Sequence, residues 1–296
     1  MDRTCGAVHS CGKRIGSVLV VCLVTGMLFL YNWNVEAVLE THTMPQNQQQ
    51  NIYAWVRQHV LPRAQVQVIA AQTGVNEKVV KELLEAGKWQ QLLELQGAYF
   101  APVYTESLPS SIVTVSEYVV NKDGQYVDGT HLADVREGDI LITKNSRFLG
   151  WRNGHAGLVV DAEEGLVLEA IMLGMDTRLC KIEKWLGYPS FQVLRAKAEL
   201  EVPVKQVVAY ASKHLVGVPY QLLAGVRGRV FGKGAVTVSE KEETEVAVVK
   251  GTQCAHLVWQ AYMQVGIDLD SDSGLLVTPA DIQNSPYLEV IQSYGY

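Results

Sequence analysis

The sequence has few prolines and few cysteines, and its basic residues do not outnumber its acidic ones. Its 296 residues include 9 prolines and 5 cysteines, and 25 lysines and arginines stand against 31 aspartates and glutamates. The resulting net charge of −6 argues against a nucleic-acid-binding protein, which would carry a basic face. The sequence also lacks internal repeats, metal-ligand spacings and a glycine-rich phosphate loop. We therefore expect a globular protein with no cofactor, no bound metal and no nucleic-acid partner.

One long uncharged stretch is present near the N-terminus. Residues 15–35 carry no charged side chain, and this length is enough to cross a bilayer as a helix. Basic residues precede the stretch and acidic residues follow it, at Arg3, Lys13, Arg14, Glu36 and Glu40. The positive-inside rule predicts a single-pass protein of the cell membrane, with residues 1–14 in the cytosol, residues 15–35 in the membrane and the chain from residue 36 outside. A cleaved signal peptide is the alternative, with Val35-Glu36-Ala37 as its cleavage site.

The five cysteines are divided by this predicted topology. Cys5 and Cys11 would lie in the cytosol, and Cys22 would lie in the membrane. Cys180 and Cys254 would lie outside, and two cysteines do not make a disulfide framework for a domain of this size. A single bridge between these two residues would inactivate a Cys254 nucleophile, and we expect both thiols to be free.

Three regions follow the uncharged stretch. Residues 36–50 are polar and are expected to form a linker. Residues 51–108 show helical spacing of apolar residues, interrupted by Pro62, Gly74 and Gly87. Residues 70–75 resemble the turn of a helix-turn-helix, but the few basic residues nearby favour a small helical packing region. From residue 109 to residue 296, β-rich runs and turns predict an α+β domain with a central antiparallel sheet.

Cys254 is the strongest candidate for a catalytic residue. It follows Gly251 at the start of a run in which Leu257, Val258, Ala261 and Tyr262 share one helical face. The first turn of a helix favours a thiolate, because the N–H groups there lack partners and the macrodipole is positive. The alternative interpretation is a buried structural thiol, since free cysteine is among the most buried residue types.

His155 and Glu169 are candidates for the base and for the group that orients it. His155 opens an apolar strand between two glycines, and Glu169 lies in a second apolar strand that we expect to form a hairpin with the first. A buried carboxylate needs a partner. That partner is either structural, at Arg195 or Lys197, or it is the imidazole of His155. The second pairing would complete a nucleophile, a base and an orienting acid.

The order of these motifs resembles the circularly permuted branch of the NlpC-type papain-like cysteine hydrolases, and within it the YiiX-like group. The motifs are Gly138-Asp139-Ile140, His155-Ala156-Gly157, Leu168-Glu169-Ala170, Gly217-Val218-Pro219-Tyr220, Cys254 in its helix, and Pro279-Ala280-Asp281-Ile282. The resemblance implies that Cys254 is the nucleophile, His155 the base and Glu169 the orienting residue. It also implies that Tyr220 lies at the substrate-binding site.

Two features depart from the family pattern. Gln253 occupies a position that is often aromatic, and Ala255-His256 replaces Ser-Glu after the cysteine. Residues 224–250 form a long insertion that is rich in glycine and then in charge. Both departures bear on the substrate more than on the nucleophile.

We therefore expect a membrane-anchored, extracytoplasmic cysteine amidase or peptidase that acts on cell-wall peptides through an acyl-enzyme. One alternative keeps the same site but acts on lipid esters or thioesters, as a hydrolase or an acyltransferase. The other alternative is a catalytically inactive module that binds a wall peptide or a partner.

Overall fold

The computed structural model of the protein describes residues 20–27, 41–58, 60–111, 113–226 and 250–296. The uncharged stretch 15–35 falls outside these residues except for 20–27, and most of the insertion 224–250 also falls outside them. Within the described ranges, no helix is both long enough and apolar enough to cross a membrane. The membrane anchor therefore stays a prediction from the sequence.

Seven α-helices of the described chain lie between residues 53 and 283. They are α1 (Tyr53–Val56), α2 (Arg63–Thr73), α3 (Glu77–Glu85), α4 (Trp89–Tyr99), α5 (Val204–His214), α6 (Cys254–Met263) and α7 (Pro279–Gln283). Two 3₁₀ helices, Ile182–Gly187 and Ala198–Leu200, join strands and helices in the second half of the chain. Gly74 adopts a left-handed conformation with φ of 70° at the end of α2, as a C-terminal glycine commonly does.

Nine strands of the described residues form two antiparallel sheets. They are β1 (Tyr104–Pro109), β2 (Thr114–Val120), β3 (Ile140–Thr143), β4 (Ser146–Phe148), β5 (His155–Asp161), β6 (Leu166–Glu169), β7 (Arg178–Lys181), β8 (Phe191–Ala196) and β9 (Leu288–Tyr294). The smaller sheet has the order β1-β2-β4, and the larger has the order β7-β6-β5-β3-β8-β9. The predicted α+β class with a central antiparallel sheet is confirmed.

The strands β1 and β9 were not predicted from the sequence. The strand β1 begins inside the range 51–108 that was predicted to be helical, and it pairs along its whole length with β2. The strand β9 near the C-terminus pairs with β8 and forms one edge of the larger sheet. Both carry mixed polar and apolar residues, so hydrogen bonding to a neighbouring strand defines them more than hydrophobic periodicity does.

The larger sheet is covered on both faces, and alternate residues of its strands belong to different clusters. Ala156 and Leu158 of β5 pack with α5 and α6 in one cluster, which includes Cys254. Val159 of the same strand packs with the N-terminal helices α1 to α4 in the other cluster. The helical region thus shares a core with the sheet, because side chains of a strand point alternately to its two faces.

The turn between α2 and α3 contacts the edge strand β9. The Ser293 N–H donates to the Gly74 carbonyl at 2.7 Å, and the Asn76 N–H donates to the Ile291 carbonyl at 2.9 Å. This turn is the segment that resembles a helix-turn-helix, and its position agrees with the packing interpretation. It also satisfies backbone groups at an edge that could otherwise pair with another chain.

Part of the predicted linker also contacts the domain. The Thr43 N–H donates to the Gly295 carbonyl at 3.0 Å. The Gln50 N–H donates to Gln72 Oε1 at 2.7 Å, and Gln96 Nε2 donates to the Gln50 carbonyl at 2.7 Å. Residues 41–50 therefore follow the surface of the helical region and of β9.

We predict that Gly74→Ala destabilises the protein more than Gly87→Ala. Both glycines have φ near 70°, where any side chain costs about 1–2 kcal/mol. A Cβ at Gly74 would lie 2.2 Å from the Ser293 carbonyl oxygen, whereas a Cβ at Gly87 meets no atom within 4 Å. We expect Gly74→Ala to lose about 1–3 kcal/mol beyond its matched control, as overpacking does. Urea unfolding of both variants measures the difference, and equal losses would contradict the β9 contact.

Candidate active site

Cys254 is the first residue of α6, and its position is fixed by the residue before it. Gln253 is the N-cap: its Oε1 accepts from the Ala255 N–H at 2.9 Å, and its Nε2 donates to the Val277 carbonyl at 2.5 Å. The Cys254 thiol itself is 3.4 Å from Gln253 Oε1 and is only 6% exposed. Gln253 therefore caps the helix that carries the thiol.

His155 and Glu169 are brought together by the β5–β6 hairpin. A turn at residues 161–165 joins the strands, closed by a hydrogen bond from the Glu164 N–H to Asp161 Oδ1. The register pairs Gly157 with Glu169, so the carboxylate lies on the same face as His155. The imidazole Nε2–H donates to Glu169 Oε2 at 2.8 Å, and both side chains are buried.

Arg195, which the sequence left open as the partner of Glu169, binds other carboxylates. Its guanidinium donates to both oxygens of Asp139 at 2.7 Å and to Asp134 at 2.8 Å. Burial opposes the charged guanidinium, but these carboxylates outweigh the effect and raise the pKa of Arg195. This ion-pair cluster is structural and separate from Glu169.

Two residues that the sequence analysis did not name complete the surroundings of Glu169. Lys184 Nζ lies 2.5 Å from Glu169 Oε2, and Trp185 Nε1 donates to Glu169 Oε1 at 3.0 Å. The Trp185 ring also stacks on the His155 ring, with centroids 5.6 Å apart and planes 18° apart. The signal that points to them is the carboxylate itself, which needs donors when it is fully buried.

Cys254 and Glu169 act on the imidazole from two sides. Burial opposes the protonated ring, but hydrogen bonds and charge from Cys254 and Glu169 outweigh it and raise the pKa of His155 to about 9. Burial also opposes the Glu169 carboxylate, but His155 and Lys184 lower its pKa to about 2. Because Nε2 faces Glu169, Nδ1 is the ring nitrogen left for the thiol.

Both the backbone contacts and the side chain of Tyr220 place this residue close to Cys254. The segment that contains Tyr220 is hydrogen-bonded to Thr252, the residue before the helix cap. The Gln221 N–H donates to the Thr252 carbonyl, and the Thr252 N–H donates to the Pro219 carbonyl. Burial raises the pKa of the Tyr220 hydroxyl, and the charge of Cys254 adds to the rise. The structure thus places the predicted substrate-binding residue next to Cys254.

Two other histidines contact residues outside this group of three. His256 Nδ1 is 3.1 Å from Thr252 Oγ1, and its ring stacks on Trp259. His214 packs against Tyr210 on α5. Cys180 and Cys254 are both free thiols, as the sequence analysis expected.

Gly157 leaves room for the side chains of Glu169 and Trp185 beside the imidazole. A Cβ at this position would lie 2.6 Å from Val167 Cγ1, 3.1 Å from Trp185 Cζ2 and 3.2 Å from Glu169 Cγ. Any larger residue would displace the indole or the carboxylate that contact the imidazole. The side chains around Gly157, including that of Glu169 on β6, therefore explain why this position is a glycine. Its backbone angles do not require one.

Acidic residues meet at one further place in the described chain. Carboxylate oxygens of Asp270, Asp272 and Asp281 lie within 4.8 Å of one another. Asp281 Oδ2 already accepts from the Thr278 N–H at 2.8 Å and from its hydroxyl at 2.7 Å, in a capping box at the start of α7. Helix capping accounts for the place of Asp281 in this group.

The chain is similar to a solved structure over about half of its length. A crystal structure of the metalloprotein yiiX from Escherichia coli O157:H7 is 16% identical to the chain, with a TM-score of 0.39. The match covers 54% of this chain and 98% of that one. No family model matches the chain, and no curated protein matches it.

We predict that Gly157→Ala destabilises the protein and moves Glu169 away from His155. Overpacking of this kind costs about 1–3 kcal/mol. Gly97→Ala is the control, because Gly97 is an exposed residue of α4 and its Cβ would meet no atom within 4 Å. That change removes a helical glycine and should stabilise the protein by up to about 1 kcal/mol. Thermal unfolding measures the stability of both variants. If Gly157→Ala leaves the stability unchanged, the packing argument is wrong.

Proposed function

We propose that the protein is a cysteine hydrolase that cleaves amide bonds, with Cys254 as nucleophile, His155 as base and Glu169 as orienting acid. The observation that carries the proposal is the placement of a helix-start thiol and a buried carboxylate at one imidazole. The motif order, which resembles the permuted NlpC-type hydrolases, supports the same assignment. A thiol, a base and a group that orients the base are what nucleophilic acyl transfer requires.

In the proposed reaction, Cys254 gives its thiol proton to His155, and Sγ attacks the carbonyl carbon. A C–S bond forms as the carbonyl π electrons move to the oxygen. The protonated His155 then gives its proton to the leaving amine nitrogen as the C–N bond breaks. Water, deprotonated by His155, attacks the acyl-enzyme, and the C–S bond breaks to release the acid and the thiolate. The Cys254 backbone N–H has no acceptor within its own helix and faces the developing oxyanion.

The substrate that we propose is a cell-wall peptide. This assignment follows from the sequence, in which residues 15–35 are expected to anchor the protein and to place the site outside the membrane. The amide of a wall peptide would then be within reach of a domain that is held above the bilayer.

A second candidate substrate, a lipid ester or thioester, is favoured by apolar side chains near Tyr220. Leu222 and Leu223 are 38% and 64% exposed and directly follow the Tyr220 segment. Leu173 is 53% exposed and lies two residues before Met175, whose carbonyl accepts from the Tyr220 N–H. An acyl chain would cover this apolar surface when its carbonyl is at Cys254.

We predict that Cys254→Ala abolishes hydrolysis and that His155→Ala slows it by about 10²–10⁴-fold, the usual contribution of a general base. Cys180→Ala is the matched control and should keep full activity, because Cys180 lies on β7 in neither the site nor its motifs. Wall peptides and acyl esters should be screened in parallel with all variants. Activity retained by Cys254→Ala would exclude this nucleophile.

Iodoacetamide labelling tests the same site without a substrate. We expect Cys254 at neutral pH to react faster in the wild type than in His155→Ala, since the imidazole takes the thiol proton. Mass spectrometry separates its product from that of Cys180. Slow labelling that is equal in both proteins would favour an inactive binding module.

We predict that hydrolysis declines as the pH rises through about 9. The raised pKa of His155 keeps the imidazole protonated up to that pH, and the leaving amine needs this proton. Glu169→Gln removes one of the charges that raise the pKa of His155, so its alkaline limb should move to lower pH. A wild-type limb near the ordinary histidine value of about 6.5 would contradict the charge arrangement.

A further inference from the structure

The Glu169 carboxylate serves two cations at one oxygen. Its Oε2 accepts from His155 Nε2 at 2.8 Å and from Lys184 Nζ at 2.5 Å. Its Oε1 accepts from the Trp185 indole at 3.0 Å. Three donors from two segments therefore fix the rotation of a carboxylate that is 0% exposed.

The 3₁₀ helix Ile182–Gly187 brings both additional donors to the site. It directly follows β7, which pairs with the strand that carries Glu169. Trp185 is fully buried against the imidazole, whereas the Lys184 side chain is 32% exposed and reaches inward to the carboxylate. Lys184 thus remains in contact with solvent while its ammonium group neutralises a buried charge.

We propose that Lys184 is a positioning residue that holds the Glu169 carboxylate and limits how strongly that carboxylate retains the protonated His155. This role rests on the proposed function, because it concerns the base of the same site. Two positive groups that share one carboxylate oxygen repel each other, and each weakens the hold on the other. Without Lys184, His155 would face the full charge of Glu169 and would give up its proton less readily.

The other ionisable groups around the pair are few among the described residues. Cys254 faces His155 from α6. Arg178 is opposite Glu169 in the β6–β7 register, but its side chain is exposed. Tyr188, after the 3₁₀ helix, feels the charge of Glu169 but is neutral, because burial raises the pKa of its hydroxyl well above the usual value. Lys184 is therefore the cation whose removal would leave the charge of Glu169 to His155.

The test is an NMR titration of the His155 imidazole in the full chain. We expect Lys184→Met to raise the midpoint of this titration by about one pH unit, within the range that a nearby charge produces. Lys184→Arg keeps the cation and should return the midpoint to the wild-type value. Lys181→Met is the matched control, because Lys181 lies three residues away, is exposed and pairs with Glu164. A midpoint that is unchanged or lowered in Lys184→Met would overturn the proposal.

The two proposals fail separately. If Cys254 reacts rapidly with iodoacetamide in the wild type but Lys184→Met leaves the His155 midpoint unmoved, the role of Lys184 is wrong and the proposed hydrolase stands. If Cys254 is inert at every pH while the midpoint still rises in Lys184→Met, the hydrolase is wrong and the charge sharing is supported. Circular dichroism of each variant establishes that the fold is intact before titration.

Discussion

The candidate site depends on keeping one carboxylate charged inside an apolar strand. Glu169 follows Leu166, Val167 and Leu168 in β6, and burying its charge without partners would cost several kcal/mol. The imidazole, the ammonium and the indole that surround it remove that cost. The hydrogen bond that helps to stabilise this carboxylate also orients His155, the proposed base.

The two faces of the sheet supply different parts of this arrangement. Cys254 belongs to the cluster that covers one face, together with α5 and α6. Trp185 belongs to the cluster on the other face, which contains the N-terminal helices. His155 can contact both because it is the first residue of β5, where the strand no longer separates the two sides. The helices α1 to α4 thus support His155 indirectly, by packing against the face that holds Trp185.

Local patterns in the sequence predicted the single elements of the site. Helical spacing after Cys254 predicted a residue in the first turn, and the apolar runs around residues 161–165 predicted the hairpin. The sequence could not decide which residue is the partner of Glu169, because this depends on the strand register. The register shifts by one residue between Val159 and Asp161, and hydrophobic periodicity does not predict such a bulge. Lys184 and Trp185 were missed because a short 3₁₀ helix has no repeating apolar pattern. The strand β9 was missed because its pairing is with a distant part of the chain.

The strand order explains why Arg195 could not serve the role that the sequence left open for it. Arg195 is on β8, and both β5 and β3 separate this strand from β6. Three steps between neighbouring strands amount to about 14 Å, which is beyond the reach of an arginine that already binds two carboxylates. Arg195 and Lys184 therefore belong to two separate groups of charges. One joins Arg195 to Asp139 and Asp134, and the other leaves Glu169 to His155 and Lys184. A mutation in the first group is expected to change stability, whereas a mutation in the second should also change the protonation of the base.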